Sequence, residues 1–307
     1  MPEKWPHSYF SGLVLLGGLI FASPLAAVGK LVFKNETYSH IFLIPLMSLI
    51  LIGIHRKHIF AGARGRPAMG FSICAAAIVL YFVSAAMRAN FFPQTFQGQD
   101  VPNDYLSLCM TGLVAWVIGS FLSVYGPRAF RRARFALLFL LFAVPVPMFL
   151  LNGVVALLQY ASAEASNLIF MLSGASYHRN ELVFEFSNVA VQVAEQCSGI
   201  RSSLSLLILS TVTGYLFLRT VSRRFILVLA VFPITVFKNA LRIVTITLLA
   251  NQVDQRFLTD HWIHSSGGML FFAVALTLFI PIVWMLRKSE HLISTTGPAA
   301  IGTHSDD

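Results

Sequence analysis

Cys197, Arg242 and His264 are the residues whose types and surroundings suit chemistry. Cys197 stands between a polar stretch and the start of an apolar run, where a helix N-terminus favours thiolate over thiol. Cys74 and Cys109 sit among apolar neighbours and read as small hydrophobes. Arg242 lies inside a hydrophobic run, an expensive position that marks a functional site unless the side chain snorkels to the interface. His264 precedes the last apolar run and is followed by Ser265-Ser266-Gly267-Gly268, with His261 as the alternative in the same loop. A thiol, an imidazole and a guanidinium at one level are the parts of an acyl-transfer site. The sulfur attacks a carbonyl, the imidazole moves protons to and from sulfur and leaving amine, and forked donors stabilise the oxyanion. Arg201, four residues after Cys197, competes for the arginine role, contacts a substrate carboxylate, or pairs with Glu195 and the neighbouring acids. Lys238, one turn from Arg242 and beside Asn239, extends a polar stripe along that run. Three cysteines without metal-ligand spacing imply no disulfide framework, no metal site and no cofactor.

The elements that must position these groups follow from composition. With 56% hydrophobic and 11% charged residues against about 25% charged in soluble chains, the 307 residues cannot pack as a water-soluble globule. Cytosolic enzymes, secreted disulfide scaffolds and disordered regulators are excluded. The fold class expected is an all-α polytopic membrane protein, one integral domain over 1–290 with a disordered cytoplasmic tail at 291–307. Apolar runs predict eight transmembrane helices near 10–28, 39–54, 69–87, 105–125, 135–151, 198–218, 225–250 and 265–286. The first is read as a retained span, not a cleaved signal.

Of the 22 Lys and Arg residues, 14 fall in alternate short segments and 5 in the opposite ones. This bias puts both termini in the cytoplasm. It requires that 135–172 cross once, so 154–172 is expected as an interfacial helix on the outer surface beyond the Pro145-Val146-Pro147 kink. Counted from Phe225 at the inner face, Arg242 lies about 25 Å along its helix, near the outer boundary. Alternation through 181–186 and 189–194 about Ser187-Asn188 predicts a small extracytoplasmic β-hairpin leading into Cys197. An open hairpin in hydrocarbon would leave backbone groups unpaired, so it lies outside the bilayer or under protein. The net charge of +9 thus belongs to membrane topology, and no nucleic-acid partner is expected.

Three blocks, in order, resemble the exosortase and archaeosortase membrane proteins: Cys197-Ser198-Gly199-Ile200-Arg201-Ser202, then Asn239-Ala240-Leu241-Arg242-Ile243, then His264 with Gly268 and Phe272. Weaker similarity covers Tyr38-Ser39-His40-Ile41-Phe42-Leu43-Ile44-Pro45 and the Pro145-Val146-Pro147 region. The resemblance implies a membrane cysteine transpeptidase or endopeptidase, similar to gram-positive sortases in chemistry but not in fold. Its partners would be exported proteins with PEP-CTERM-like carboxy-terminal sorting signals, each a short motif, a transmembrane helix and a basic end. By motif matching, Cys197 is the nucleophile, Arg242 the electrophilic stabiliser and His264 the acid/base; glycine four residues later selects His264 over His261. Arg201, Glu195, Lys238, Asn239 and His40 are expected to contact substrate. The acceptor amine is not legible. The enzyme would sit in the cytoplasmic (inner) membrane with its active site on the extracytoplasmic face.

Two rivals belong to other classes. A transporter or channel would use Lys238 and Arg242 as an anion path, and it predicts broken helices in repeated halves, which the sequence lacks. A non-catalytic scaffold gives no reason for Cys197, Arg242 and His264 to share a face.

Overall fold

The computed structural model describes residues 5–91, 103–194, 199–259 and 261–295. Side chains are described for these except 5–6, 36, 87–91, 258–259, 261–267 and 291–295. The chain is an all-α polytopic membrane protein with one small open sheet. It divides into two compact units, Met1–Asn152 and Gly153–Asp307.

The first unit holds α1 (Trp5–Ile20), α2 (Ala22–Lys34), α3 (His40–Ile54), α4 (Arg56–Phe60), α5 (Pro67–Phe91) and α6 (Asn103–Phe139). The last runs on through a 3-10 turn, Leu140–Ala143. Helix α7 (Met148–Leu172) begins in this unit and continues into the second. There follow strands β1 (His178–Asn180), β2 (Val183–Glu185) and β3 (Ala190–Gln192), then α8 (Ile200–Phe217), α9 (Val221–Gln252), α10 (Arg256–Thr259) and α11 (His261–Thr295).

Six described helices are long and apolar enough to cross a membrane, or seven if α1 and α2, bent by 76°, count as one broken span. Most of the residues in the eight runs expected from sequence fall on helices, with three differences. The first run is broken at Phe21, which is fully buried among Cys74, Ala77 and Trp116. The second is only 15 residues, about 22 Å, short of a 30 Å hydrocarbon core. The fourth is the first arm of α6, and the fifth joins the end of its second arm to the start of α7 across the non-helical 144–147. A straight run from Asn103 to Ala143 would be about 60 Å long. Yet Ser107 Oγ donates to the Pro145 carbonyl (2.5 Å), Asn103 Nδ2 to the Val146 carbonyl, and the Met148 N–H to Asp104 Oδ1 (2.7 Å). The chain therefore folds back, and it does so at Gly126, where φ 78° and ψ 177° interrupt the helix.

At this fold-back the basic loops meet. The Arg66 N–H donates to the Leu122 carbonyl (3.2 Å), and Arg132 donates to the carbonyls of His58 and Ala61 (both 2.7 Å). Arg56, Lys57, Arg64, Arg128 and Arg131 belong to the same end, the grouping that the charge bias anticipates.

The stretch 154–172, expected along the surface, is the larger part of α7, whose 25 residues and apolar character admit it as a crossing helix. The expected hairpin forms as β2 and β3 about Ser187-Asn188, and β1 adds a third antiparallel strand in the order β1-β2-β3. Phe184 of β2 is fully buried with Phe170, Ala163, Val193, Ile243 and Val244, so the sheet is seated on α7 and the C-terminal part of α9. Arg179 of β1 grips Glu164 through two hydrogen bonds (3.1 and 2.5 Å), which hold its guanidinium charged even more firmly than usual. Asn188 is held at both backbone N–H and side chain by Asn251 (3.2 and 3.0 Å). Large apolar side chains such as Leu19, Phe149 and Leu172 are exposed by 75–80%, as lipid-facing residues are.

At Gly126 a Cβ would run into the Arg64 carbonyl, and the backbone lies in a region that only glycine enters freely. Gly126→Ala is expected to cost at least ~1–3 kcal/mol, read as a fall of several degrees in the thermal transition of the detergent-solubilised protein. Gly12→Ala, at a helical position with open space around it, should leave that transition unchanged or higher.

Candidate active site

Helices α8, α9 and α11 pack against one another in alternating directions. At one end of the α8–α9 pair, Arg224 donates to the Leu218 carbonyl through Nε and Nη2 (2.9 and 2.7 Å). At the other, Lys238 Nζ donates to Ser202 Oγ (2.5 Å). The α9–α11 pair is tied by Arg223, which donates to the carbonyls of Leu286 (3.1 Å) and Ser289 (3.3 Å). Glu290 accepts from the Arg219 and Thr220 N–H groups that open α9 (2.8–3.1 Å). Between these ties lies an apolar core of Leu206, Leu227, Val231, Ile234, Ala275 and Phe279.

The far end of this bundle carries the polar residues. Gly199 adopts a left-handed conformation (φ 76°, ψ 14°) immediately before α8. The hydroxyls of Ser202 and Ser203 both donate to its carbonyl (2.9 Å each), closing the first turn of the helix. A Cβ on Gly199 would lie 3.3 Å from Asn239 Oδ1 and 3.5 Å from Lys238 Nζ, so the entry to α8 is pressed against the polar stripe of α9. Lys238 is 4% exposed and Asn239 fully buried. Asn239 Nδ2 donates to Ser162 Oγ of α7 (3.0 Å), which fixes α7 at the same level.

Arg242, one turn beyond Lys238, is half-buried. Among the described residues its guanidinium has no hydrogen-bond or ion-pair partner, and it feels the like charge of Lys238. A forked cation in a largely apolar bundle is suited to pairing with an anion. The helical position of His264 follows from the α9–α11 register. From Arg223 to Arg242 is 19 residues, about 28 Å, and from Leu286 to His264 is 22 residues, about 33 Å. The His264 backbone therefore lies about one helical turn from the level of Arg242.

The other sequence candidates divide as follows. Cys197 and Glu195 lie outside the described residues, as do the side chains of His264 and His261. Arg201 is exposed on the first turn of α8. Lys238 and Asn239 meet the turn at Gly199. His40 belongs to the first unit, half-buried at the start of α3 with Nδ1 hydrogen-bonded to the Thr37 carbonyl (3.1 Å). Sequence reasoning did not single out Ser162 or the role of Ser202. The available signal was Lys238 itself, since a buried ammonium requires an acceptor from a neighbouring helix.

Removal of that acceptor tests the arrangement. Ser202→Ala is expected to destabilise the purified protein by about 1–3 kcal/mol, read as a lowered thermal transition, because the Lys238 ammonium stays buried with its bond unmade. A double variant with Lys238→Met should recover much of the loss.

A family model described as transmembrane exosortase (Exosortase_EpsH) matches residues 32–281. No curated protein matches the chain, and no solved structure does. The match takes in the Gly199 turn, the polar stripe of α9 and the start of α11. The chain belongs to the transmembrane exosortase family.

Proposed function

We propose that this protein is a membrane-embedded cysteine transpeptidase or endopeptidase that cleaves the carboxy-terminal sorting signals of exported proteins. Family membership supports a membrane transpeptidase role in general. The observation that carries the specific reading is the guanidinium of Arg242, without a partner among the described residues and one turn from a buried Lys238 that abuts Gly199. Two residues span at most about 7 Å, so the chain cannot carry Cys197 far from Gly199. The expected single domain over 1–290 is favoured by a family match that runs across both compact units.

In this reading the client's PEP-CTERM-like helix packs laterally among the spans, its basic end remains on the cytoplasmic side, and its short motif is held at the level of Cys197. The Cys197 thiolate attacks the scissile carbonyl carbon, and the tetrahedral oxyanion is met by the forked donors of Arg242. Collapse breaks the C–N bond. The leaving amine takes a proton from His264, the client's helix is released, and a thioester remains on Cys197. An acceptor amine or water then attacks the thioester, giving its proton to His264 and returning the Cys197 thiolate. Arg201, Glu195, Lys238 and Asn239 are assigned to contact the client or to support residues that do, and His40 of the first unit is assigned a separate client contact. Both termini in the cytoplasm and the reaction on the extracytoplasmic face of the inner membrane belong to this reading; the charge bias of the loops supports them on the condition that 135–172 crosses once.

Two substitutions test the reading with a co-expressed client from the same genome. Cys197→Ala and Cys197→Ser are expected to abolish processing while the protein still accumulates in the membrane, with a Cys197-linked client trapped in the wild type and detected by mass spectrometry. Processing by either variant would overturn the nucleophile assignment. Arg242→Lys retains the charge but not the fork and is expected to slow turnover roughly 100-fold. Near-normal turnover would make the arginine merely structural.

A further inference from the structure

The sheet has two edges, and they differ. Ladder bonds run from the Val193 N–H to the Leu182 carbonyl (2.9 Å) and from the Phe186 N–H to the Val189 carbonyl (2.8 Å). With Val183 opposite Gln192 and Glu185 opposite Ala190, antiparallel alternation makes Phe184 and Val191 a bonded pair and turns the N–H and C=O groups of Ala190 and Gln192 away from β2. The Gln192 carbonyl is taken by the Ala194 N–H (2.9 Å). The outward groups of Ala190 and the Gln192 N–H have no strand beside them among the described residues, and both side chains are exposed.

The far end of this edge is tied to the candidate active site. Gln159 Nε2 of α7 donates to the Val193 carbonyl (3.0 Å), and Ser162, three residues further along α7, accepts from Asn239 (3.0 Å). The exit of β3 is thus held within one helical turn of the polar stripe that carries Lys238 and Arg242. From there the chain runs on to Cys197 in four residues. The β1 edge has no such continuity, and its Arg179 is engaged with Glu164 and with the Glu181 carbonyl.

We propose that the β3 edge, Ala190–Gln192, docks the extended segment of the client that carries the scissile bond, as a fourth strand added to the sheet. A nucleophile can reach only a peptide bond whose carbonyl is exposed, and an extended chain paired to an edge presents alternate carbonyls outward in fixed register. Main-chain pairing holds many sequences alike, and the exposed Ala190 and Gln192 side chains are the ones that meet the client's alternate residues. This inference rests on Cys197 as the nucleophile, but its test is kept separate from that assignment.

Two variants carry the test. Ala190→Pro removes an outward N–H that the sheet does not use, at an edge position where proline is tolerated. It is expected to raise the KM for the client about tenfold with little change in kcat, the thermal transition staying in place. Unchanged KM overturns the proposal. In the second, Ala190→Cys is combined with Cys197→Ala, and single cysteines are scanned through the motif of a co-expressed exported protein that ends in a short motif, an apolar helix and a basic cluster. Cys74 and Cys109 are buried and do not compete. Disulfide capture at every second client position supports strand addition. A period of three to four, no capture, or capture between two copies of the Ala190→Cys chain without client overturns it. Because crosslinking needs no turnover, a period of two alongside a processing-competent Cys197→Ser variant would sink the nucleophile and leave the docking edge standing. An essential Cys197 with no capture would do the reverse.

Discussion

A cation in an apolar bundle must be hydrogen-bonded by a neighbouring helix or it will not stay charged there. Lys238 meets that requirement through Ser202, and the consequences extend well beyond the pair. The Ser202 hydroxyl also serves the Gly199 carbonyl, so the bond that satisfies the lysine also fixes the turn from which α8 starts. Asn239, next along α9, reaches the opposite way to Ser162 and ties α7 to the same level. Two adjacent residues of one helix thereby set the relative heights of three.

Arg242 stands in contrast. It occupies the next turn of the stripe and is half-buried, but has been given no partner among the described residues. Where burial is costly and a partner is withheld, the group is available to a transient anion, and an oxyanion is the transient anion of acyl transfer. The separation of tasks also weighs against a shared anion path, because Lys238 is already committed to Ser202 while Arg242 is not.

The sequence made the helices legible because a hydrocarbon core imposes a length and an apolar composition that few other folds share. Loop arginines gave the grouping at the fold-back of α6 for the same reason. Hydropathy alone did not show the break in the first run; Pro24, in the first turn of α2, has no N–H to bond to Ile20, and Phe21 at the bend is buried among Cys74, Ala77 and Trp116. Strand β1 was missed because three residues, His178, Arg179 and Asn180, carry no alternating apolar signal and are held by pairing and by Glu164. At the candidate site, Lys238 and Asn239 were legible as anomalies in an apolar run. Their partners were not, since serines that close a helix turn and serines that receive a buried ammonium look alike in one dimension.

The length of α9 explains why the chemistry gathers where it does. Its 32 residues extend about 48 Å, whereas a 30 Å hydrocarbon core takes up about 20. Crossing from Val221 exhausts the core near Arg242, and the last ten residues run beyond it. The sheet is attached to that overhang, through Ile243, Val244 and Asn251. An open sheet needs water or protein at its edges, so it can be seated only where α9 has left the lipid. Peptide backbone is equally excluded from lipid, and a client's scissile bond becomes reachable only at the same height. The overhang therefore holds, among the described residues, both a strand edge without a neighbouring strand and a guanidinium without a partner, and in the proposed reading this is the depth where a client's helix would give way to extended chain.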